Sequence, residues 1–299
     1  FMPSDVGFVG LGAMGMPMVR HLSKAGIAVS GFDLKSEICD EAAELSGVTV
    51  AESPADVARQ VPVVFTCLPT AGAVQAVYTG DDGIAAGGES GLVTCDCSTM
   101  APDVSRSLAQ KMSAAGIHHL EAPIFGVPVQ AHSGDVYFAV SGSEAHVGAV
   151  APFLEAMGRG YRYVGENGVA HTMKILQNGL GMGHAALCSE ILVICERLGL
   201  DTELFIDLVK DARGLGLSVF FERYATALVT GEKTQAGLIP VSAKDTSLAR
   251  GLAHDVGLPA PILEEAAAVF REAMENGSPD EELTVVSRVA RARQSSGSS

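Results

Sequence analysis

Lys174 and Asn178 stand four residues apart in the run Gly-Val-Ala-His-Thr-Met-Lys-Ile-Leu-Gln-Asn that begins at Gly168. On a helix, that spacing puts both side chains on one face. Met173, Ile175, Leu176 and Leu180 around them predict a largely buried helix. A buried lysine has to be paired or functional, because desolvation disfavours its charged form and makes the proton easier to lose. Such an amine can take the hydroxyl proton as an alcohol is oxidised and return it to a nascent alkoxide in reduction. Asn178 would hold the ammonium or the substrate oxygen. The plain alternative is a lysine reaching solvent from an amphipathic helix.

A second constellation is Gly10-Leu11-Gly12-Ala13-Met14-Gly15, which follows the apolar run 6–9 and opens a helical stretch. That is the context a dinucleotide fingerprint requires. Gly10 permits the tight turn, Gly12 lets backbone amides approach a pyrophosphate, and Gly15 lets helix and strand pack closely. Asp33 lies 18 residues after Gly15, at the end of the next strand-like run. A carboxylate there accepts the ribose hydroxyls of NAD and repels the extra phosphate of NADP. NAD is therefore the expected cofactor, with NADP left open because Lys35 could screen a phosphate.

The third is Asp96-Cys97-Ser98-Thr99-Met100-Ala101-Pro102 at the end of a strand-like run. Ser98 or Thr99 can cap a helix that Pro102 opens. The same hydroxyls also stand at a carboxyl edge, where open α/β sheets bind ligands. Leu68-Pro69, after another strand, shares that edge.

The elements that must position these groups follow from periodicity. Short apolar runs at residues 6–10, 28–33, 61–68, 92–97, 118–122 and 136–141 alternate with helical stretches at 14–25, 36–45, 102–115 and 144–157. That alternation predicts an α/β domain with a parallel, doubly wound sheet, and the unbroken hydrophobicity of the strands suits a sheet covered on both faces. After about residue 164 the pattern becomes helical, at 168–198, 202–211, 218–230, 242–256 and 261–276. The expected organisation is a Rossmann-type dinucleotide-binding domain at 1–164, a helical substrate and oligomerisation domain at 165–293, and a disordered Ser/Gly-rich tail at 294–299.

Composition narrows the function classes. The 299 residues are 47% hydrophobic and 18% charged, with 34 glycines, as in a compact α/β enzyme. A formal net charge of −15 argues against nucleic-acid partners and anionic membrane surfaces. No uninterrupted apolar run reaches membrane-spanning length. An anionic small-molecule substrate would need a local positive group, for which Lys174 serves. The six cysteines form no CxxC pair. Cys95 and Cys97 with His118 and His119 could be read as zinc ligands, but two core strands are the simpler reading, so no metal is expected. Phe1-Met2 leads directly into a strand-like segment without a charged leader, which suggests a reducing cytoplasm.

Taken in order, Gly-Leu-Gly-Ala-Met-Gly, Leu68-Pro69, Asp-x-Ser-Thr-x-x-Pro, Glu121-Ala-Pro123 and Gly-x-x-x-x-x-Lys174-x-x-x-Asn178 resemble the β-hydroxyacid dehydrogenases. This is the family of 3-hydroxyisobutyrate dehydrogenase and tartronate semialdehyde reductase, and the resemblance runs from about residue 6 to 290. It implies hydride transfer between a nicotinamide cofactor and a small β-hydroxy acid, with Lys174 as catalytic acid/base. It also implies cofactor contacts from Leu68, Pro69, Thr99 and Lys244, and a helical domain that mediates homodimers or homotetramers. One segment departs from the pattern. The family reads Asp-Ala-Pro-Val-Ser-Gly-Gly where this chain has Glu121-Ala-Pro-Ile-Phe125-Gly126-Val127-Pro128. With a hydroxyl donor gone and a proline added, the substrate's acidic end, expected near Ser98, Phe125 and Gly126, would be bound differently. A β-hydroxy or keto phosphonate is the alternative substrate, and a non-catalytic NAD(H)-binding redox sensor the alternative of another class. The helical half is too short for 6-phosphogluconate dehydrogenase, and the retained Lys174 argues against an imine reductase.

Overall fold

Val-, Phe- and Cys-rich runs in the first half pair into one nine-stranded sheet. The computed structural model describes residues 5–212, 218–230 and 237–293. The expected tail at 294–299 and the Gly-Leu and Gly-Glu breaks at 214–215 and 231–232 lie outside the described residues. The chain divides into two units, Phe1–Lys174 and Ile175–Ser299.

In the first unit the strands are β1 (Asp5–Val9), β2 (Ala28–Phe32), β3 (Val48–Val50), β4 (Val63–Thr66), β5 (Val93–Asp96), β6 (His118–Glu121), β7 (Ile124–Phe125), β8 (Tyr137–Gly142) and β9 (Tyr161–Gly165). Their order is β3-β2-β1-β4-β5-β6-β8-β7, with β9 on the other side of β8. β1 to β6 are parallel. β8 runs antiparallel to β6 and β7, a departure from the parallel sheet expected for it. The direction reverses because no crossover helix longer than six residues separates β6 from β8, whereas a parallel return needs a longer connection. β3, β7 and β9 were not expected; β3 and β7, at three and two residues, are too short to show a period.

Helices α1 (Gly15–Lys24), α2 (Ser36–Ala43), α3 (Pro54–Gln60), α4 (Ala71–Thr79), α5 (Ile84–Gly87), α6 (Pro102–Ala114), α7 (Pro128–Ser133) and α8 (Val147–Met157) connect the strands. One buried cluster joins Phe8, Phe65, Met18, Leu22 and Phe153, and a second joins Val9, Val64, Val74, Tyr78, Ile84 and Met112. Both faces of the sheet are therefore covered, which explains the unbroken apolar strands. Each of these aromatic rings contributes roughly 2–3 kcal/mol by burial. The strand order reverses between β1 and β4, so the carboxyl ends of β1, β4 and β5 open at the switch point where such sheets take ligands.

α9 (Val169–Arg197) follows β9 and continues into the second unit. By length and mean hydropathy (1.3 in its most apolar stretch) it is long and apolar enough to cross a membrane. The expectation from uninterrupted apolar runs missed this, since His184, Ser189 and Glu190 break any such run in the apolar part of the helix. Ala185, Ser189, Leu192, Val193 and Cys195 of α9 are buried, while Leu180, Leu187, Ile191 and Ile194 are exposed. The second unit adds α10 (Thr202–Ala212), α11 (Val219–Thr230), α12 (Ile239–Asp255), α13 (Pro261–Glu275) and α14 (Val286–Ala292). Its core holds Ala185, Tyr224, Ile239, Phe270, Leu283 and Val286. Among its described residues the only β pairing is the bridge between Leu238 and Glu282.

Candidate active site

The glycine turn after β1 is built as a cradle. Gly10 has φ +92°, and a Cβ there would stand 2.3 Å from the Cys67 carbonyl oxygen. A Cβ at Gly15 would lie 2.0 Å from the Gly10 carbonyl oxygen. These two glycines are required by the protein's own backbone. At Gly12 the added Cβ would meet nothing within 4 Å. That open space lies at the start of α1, whose first turn no side chain caps. Its amides are suited to an anion, so the turn fits a dinucleotide pyrophosphate.

Asp33 is fixed at the same place. Leu11 N donates to Asp33 Oδ2 at 2.8 Å and Lys35 N to Oδ1 at 3.0 Å. Each oxygen keeps a further lone pair, which a ribose hydroxyl can use. Ala13 is exposed, Met14 half-buried, and Leu11 buried in the core beneath the turn.

At the ends of β4 and β5, Asp96 organises the edge. Thr66 and Ser98 both donate hydroxyls to Asp96 Oδ1 at 2.6 Å. The Ser98 hydroxyl in turn accepts Leu68 N at 2.9 Å. Ser98 thus ties the Leu68-Pro69 turn to β5, and it is buried with both bonding roles engaged inside the protein. Pro69 is exposed and Thr99 half-buried on the same edge.

Lys174 is 7% exposed, in the second turn of α9. Its Nζ lies over the Phe125 ring, 5.4 Å from the centroid. Phe125 pairs with Tyr137 across β7 and β8. Gly126 is packed so closely that a Cβ would come within 2.7 Å of Val136 Cγ1. Val127 has an ordinary extended backbone and Pro128 opens α7, so the departure from Ser-Gly-Gly brings no strain. In the second unit, Asn178 donates to Asp245 Oδ2 at 2.6 Å, and Lys244 pairs with Asp245 Oδ1 at 3.3 Å. Two expected site residues therefore share one largely buried carboxylate.

The start of α9 is anchored by buried polar groups whose partners the motifs did not reveal. Glu121 accepts hydroxyls from Ser105 and Ser141 and the amide of Gly168. Burial pushes its pKa up, but the nearby His171 and these three donors outweigh burial and leave it below the usual value. His171, fully buried one turn before Lys174, places Nε2 3.7 Å from Asp96 Oδ2. His119 bonds Thr94 through Nδ1 at 3.0 Å. Burial lowers its pKa to about 4, overriding the pull of Asp96 and Glu121. Cys95 and Cys97 sit in the core of the sheet, and among the described residues no group of three or more His, Cys, Asp or Glu could hold a metal.

This network predicts acid sensitivity. His119 titrates at about 4 when folded against 6.5 for an ordinary histidine. Its contribution is fully present above pH 6.5 and is lost as pH falls toward 4, because the unfolded chain binds the proton first. The depressed Glu121 acts with the same sign, losing stability as pH falls through its folded value. The loss should reach about 3 kcal/mol for His119 alone. Denaturant unfolding between pH 7.5 and 4.5 checks it: the midpoint should fall steeply below 6.5, and less steeply in His119→Gln.

Known proteins share this architecture. Residues 5–165 match the family model described as the NAD binding domain of 6-phosphogluconate dehydrogenase. Residues 168–290 match that for the NAD-binding of NADP-dependent 3-hydroxyisobutyrate dehydrogenase. Mitochondrial 3-hydroxyisobutyrate dehydrogenase of Drosophila melanogaster is 30% identical over 94% of this chain and 88% of its own length. 2-(Hydroxymethyl)glutarate dehydrogenase of Eubacterium barkeri is 29% identical over 95% of this chain and 94% of its own. The crystal structure of 3-hydroxyisobutyrate dehydrogenase from Salmonella typhimurium superposes with a TM-score of 0.86 at 27% identity, covering 96% of this chain and all of that one. With its glycine cradle, its carboxylate at Asp33 and its buried Lys174, the chain belongs to the β-hydroxyacid dehydrogenase family and takes a nicotinamide cofactor, NAD or NADP.

Proposed function

We propose that the protein transfers a hydride between a nicotinamide cofactor and a small β-hydroxy acid or its carbonyl form, with Lys174 as general acid/base. The observation that carries this reading is the burial of Lys174 at 7% exposure on the α9 turn anchored to the carboxyl edge of the sheet. The nicotinamide ring supplies the hydride acceptor or donor. The chain's own residues do the rest. Backbone amides around Gly12 and the start of α1 would hold the pyrophosphate, Asp33 the adenosine ribose, and Leu68, Pro69, Thr99 and Lys244 further parts of the cofactor. Lys174 holds or releases the proton at Nζ. Asn178, anchored on Asp245, orients the substrate oxygen, and Gly126 lines the acid end. Ser98 acts through Leu68, as a positioning group rather than a substrate donor.

Both curated relatives are named for hydroxy carboxylates, which favours a carboxylate over a phosphonate. A buried lysine beside an aromatic ring is superfluous in a mere sensor. Residues 1–164 form the dinucleotide-binding domain in this reading, and 165–293 the substrate and oligomerisation domain. A homodimer or homotetramer is supported by the exposed stripe Leu180, Leu187, Ile191, Ile194 and Leu198 on α9. Light scattering of the wild type and Leu187→Glu checks it, since a monomeric wild type would refute it. The six free cysteines suit a reducing cytoplasm.

Steady-state turnover with 3-hydroxyisobutyrate, 2-(hydroxymethyl)glutarate and L-threonate, each with NAD and NADP, tests the reading. Activity on none of these or related short hydroxy acids would remove it. In the same assay Asp33→Ala should narrow the preference for NAD over NADP by about 1–3 kcal/mol, or roughly 5–150-fold. A wild type that already prefers NADP would remove Asp33 as the selector.

A further inference from the structure

Of the groups placed around Lys174, Phe125 is the one whose type the resemblance does not explain: an aromatic ring stands where the family pattern has a serine. We propose that Phe125 is a positioning residue for the reaction, its ring face holding the Lys174 ammonium where it exchanges the substrate proton. The inference rests on the reading of Lys174 as the acid/base.

The geometry supports the role. Nζ stands 5.4 Å from the ring centroid, within the roughly 6 Å over which a ring's negative face attracts a cation. Lys174 is buried and Phe125 half-buried, and such attractions strengthen as the cation is desolvated. A lysine carries four rotatable bonds, so each fixed contact narrows the positions its Nζ samples. The platform is rigid by contrast. β7 is paired with β8, Gly126 is wedged against Val136, and Val127 N donates to Gln130 Oε1 at 3.1 Å as α7 begins. A serine at this position would offer a hydroxyl to the substrate. A phenyl ring offers no hydrogen-bond donor, and its π face meets the cation instead. The ring therefore contributes to kcat through Lys174 and little to KM.

Mono-, di- and trifluorophenylalanine at position 125 test this, because fluorination weakens the ring face with little change of shape. The expected result, in the reduction direction where the ammonium is the reactive form, is a stepwise fall in kcat across the series, reaching about 3–30-fold, with KM for substrate and cofactor within about twofold. Phe125→Tyr should keep the wild-type kcat, and Phe125→Leu should match the trifluoro protein. A second readout uses the cofactor-free protein: the rate at which Lys174 is acylated by acetic anhydride, followed by peptide mass spectrometry, should rise several-fold over the same series. A flat kcat overturns the proposal, whether or not labelling responds, as does equal behaviour of the Tyr and Leu variants. If Lys174→Ala turns over normally, the acid/base reading fails as well. If that variant is inactive and the fluorinated series is flat, only the present inference falls.

Discussion

Lys174→Ala is expected to lower kcat by roughly 10²–10⁴-fold while cofactor affinity stays within about twofold. The factor is the usual worth of a positioned proton donor and acceptor. The affinity is spared because the groups assigned to the dinucleotide in the first unit have anchors of their own, Leu11 N on Asp33 and Leu68 N on Ser98. The two reaction directions should respond oppositely to pH. Oxidation needs the neutral amine and rises with pH; reduction needs the ammonium and falls over the same span. Lys174→Arg should rescue neither direction, since a guanidinium does not release its proton at accessible pH. Single-turnover kinetics with a deuterated substrate would show the loss in the hydride-transfer step itself.

Gly12→Ala should separate cofactor binding from folding. Its Cβ would enter open space, so thermal stability should stay within about 2 °C of wild type. The same methyl would occupy the place where backbone amides meet the pyrophosphate. Losing one or two charge-assisted bonds there should weaken cofactor affinity about 10–100-fold. Gly15→Ala should behave in the opposite way. Its Cβ would be driven against the Gly10 carbonyl, and Gly10→Ala adds a left-handed backbone to a 2.3 Å collision with Cys67 O. Each should cost about 2–4 kcal/mol of stability before any cofactor is added. Calorimetric titration and thermal melts on the three variants distinguish the cases; equal destabilisation by all three would remove the assignment of Gly12 to the ligand.

Those glycines show what was legible in the sequence. The Gly10–Gly15 turn, Asp33 and the α9 helix declare themselves through short-range spacing, and the structure places them as the periodicity requires. Lys174 reads as buried because its own helix neighbours are apolar, but that warrant fails in detail: Ile175 is buried, whereas Met173, Leu176 and Leu180 are exposed. Its partner Phe125 is not legible, because 49 residues and the antiparallel β7–β8 pairing separate them. The Asp96 hub was visible only as a strand-end residue. Its bonds to Thr66 and Ser98, and the Ser98 bond to Leu68, depend on β4 lying beside β5. The anchoring roles of His119, Glu121 and His171 were hidden for a related reason. A polar residue in an apolar run shows its type, while its donors come from α6, β8 and the start of α9. Lys244 was drawn from the resemblance. The structure adds Asp245 beside it, the carboxylate that also holds Asn178.

Reduction by a nicotinamide cofactor dideuterated at C4 tests the central claim most directly, using the carbonyl form of whichever short hydroxy acid the panel turns over, with the product analysed by mass spectrometry and the rate compared between wild type and Lys174→Ala. The account predicts one deuterium on the carbinol carbon of the hydroxy acid, formed at least about 100-fold more slowly in the variant. Unlabelled product, or equal rates in the two proteins, would contradict it.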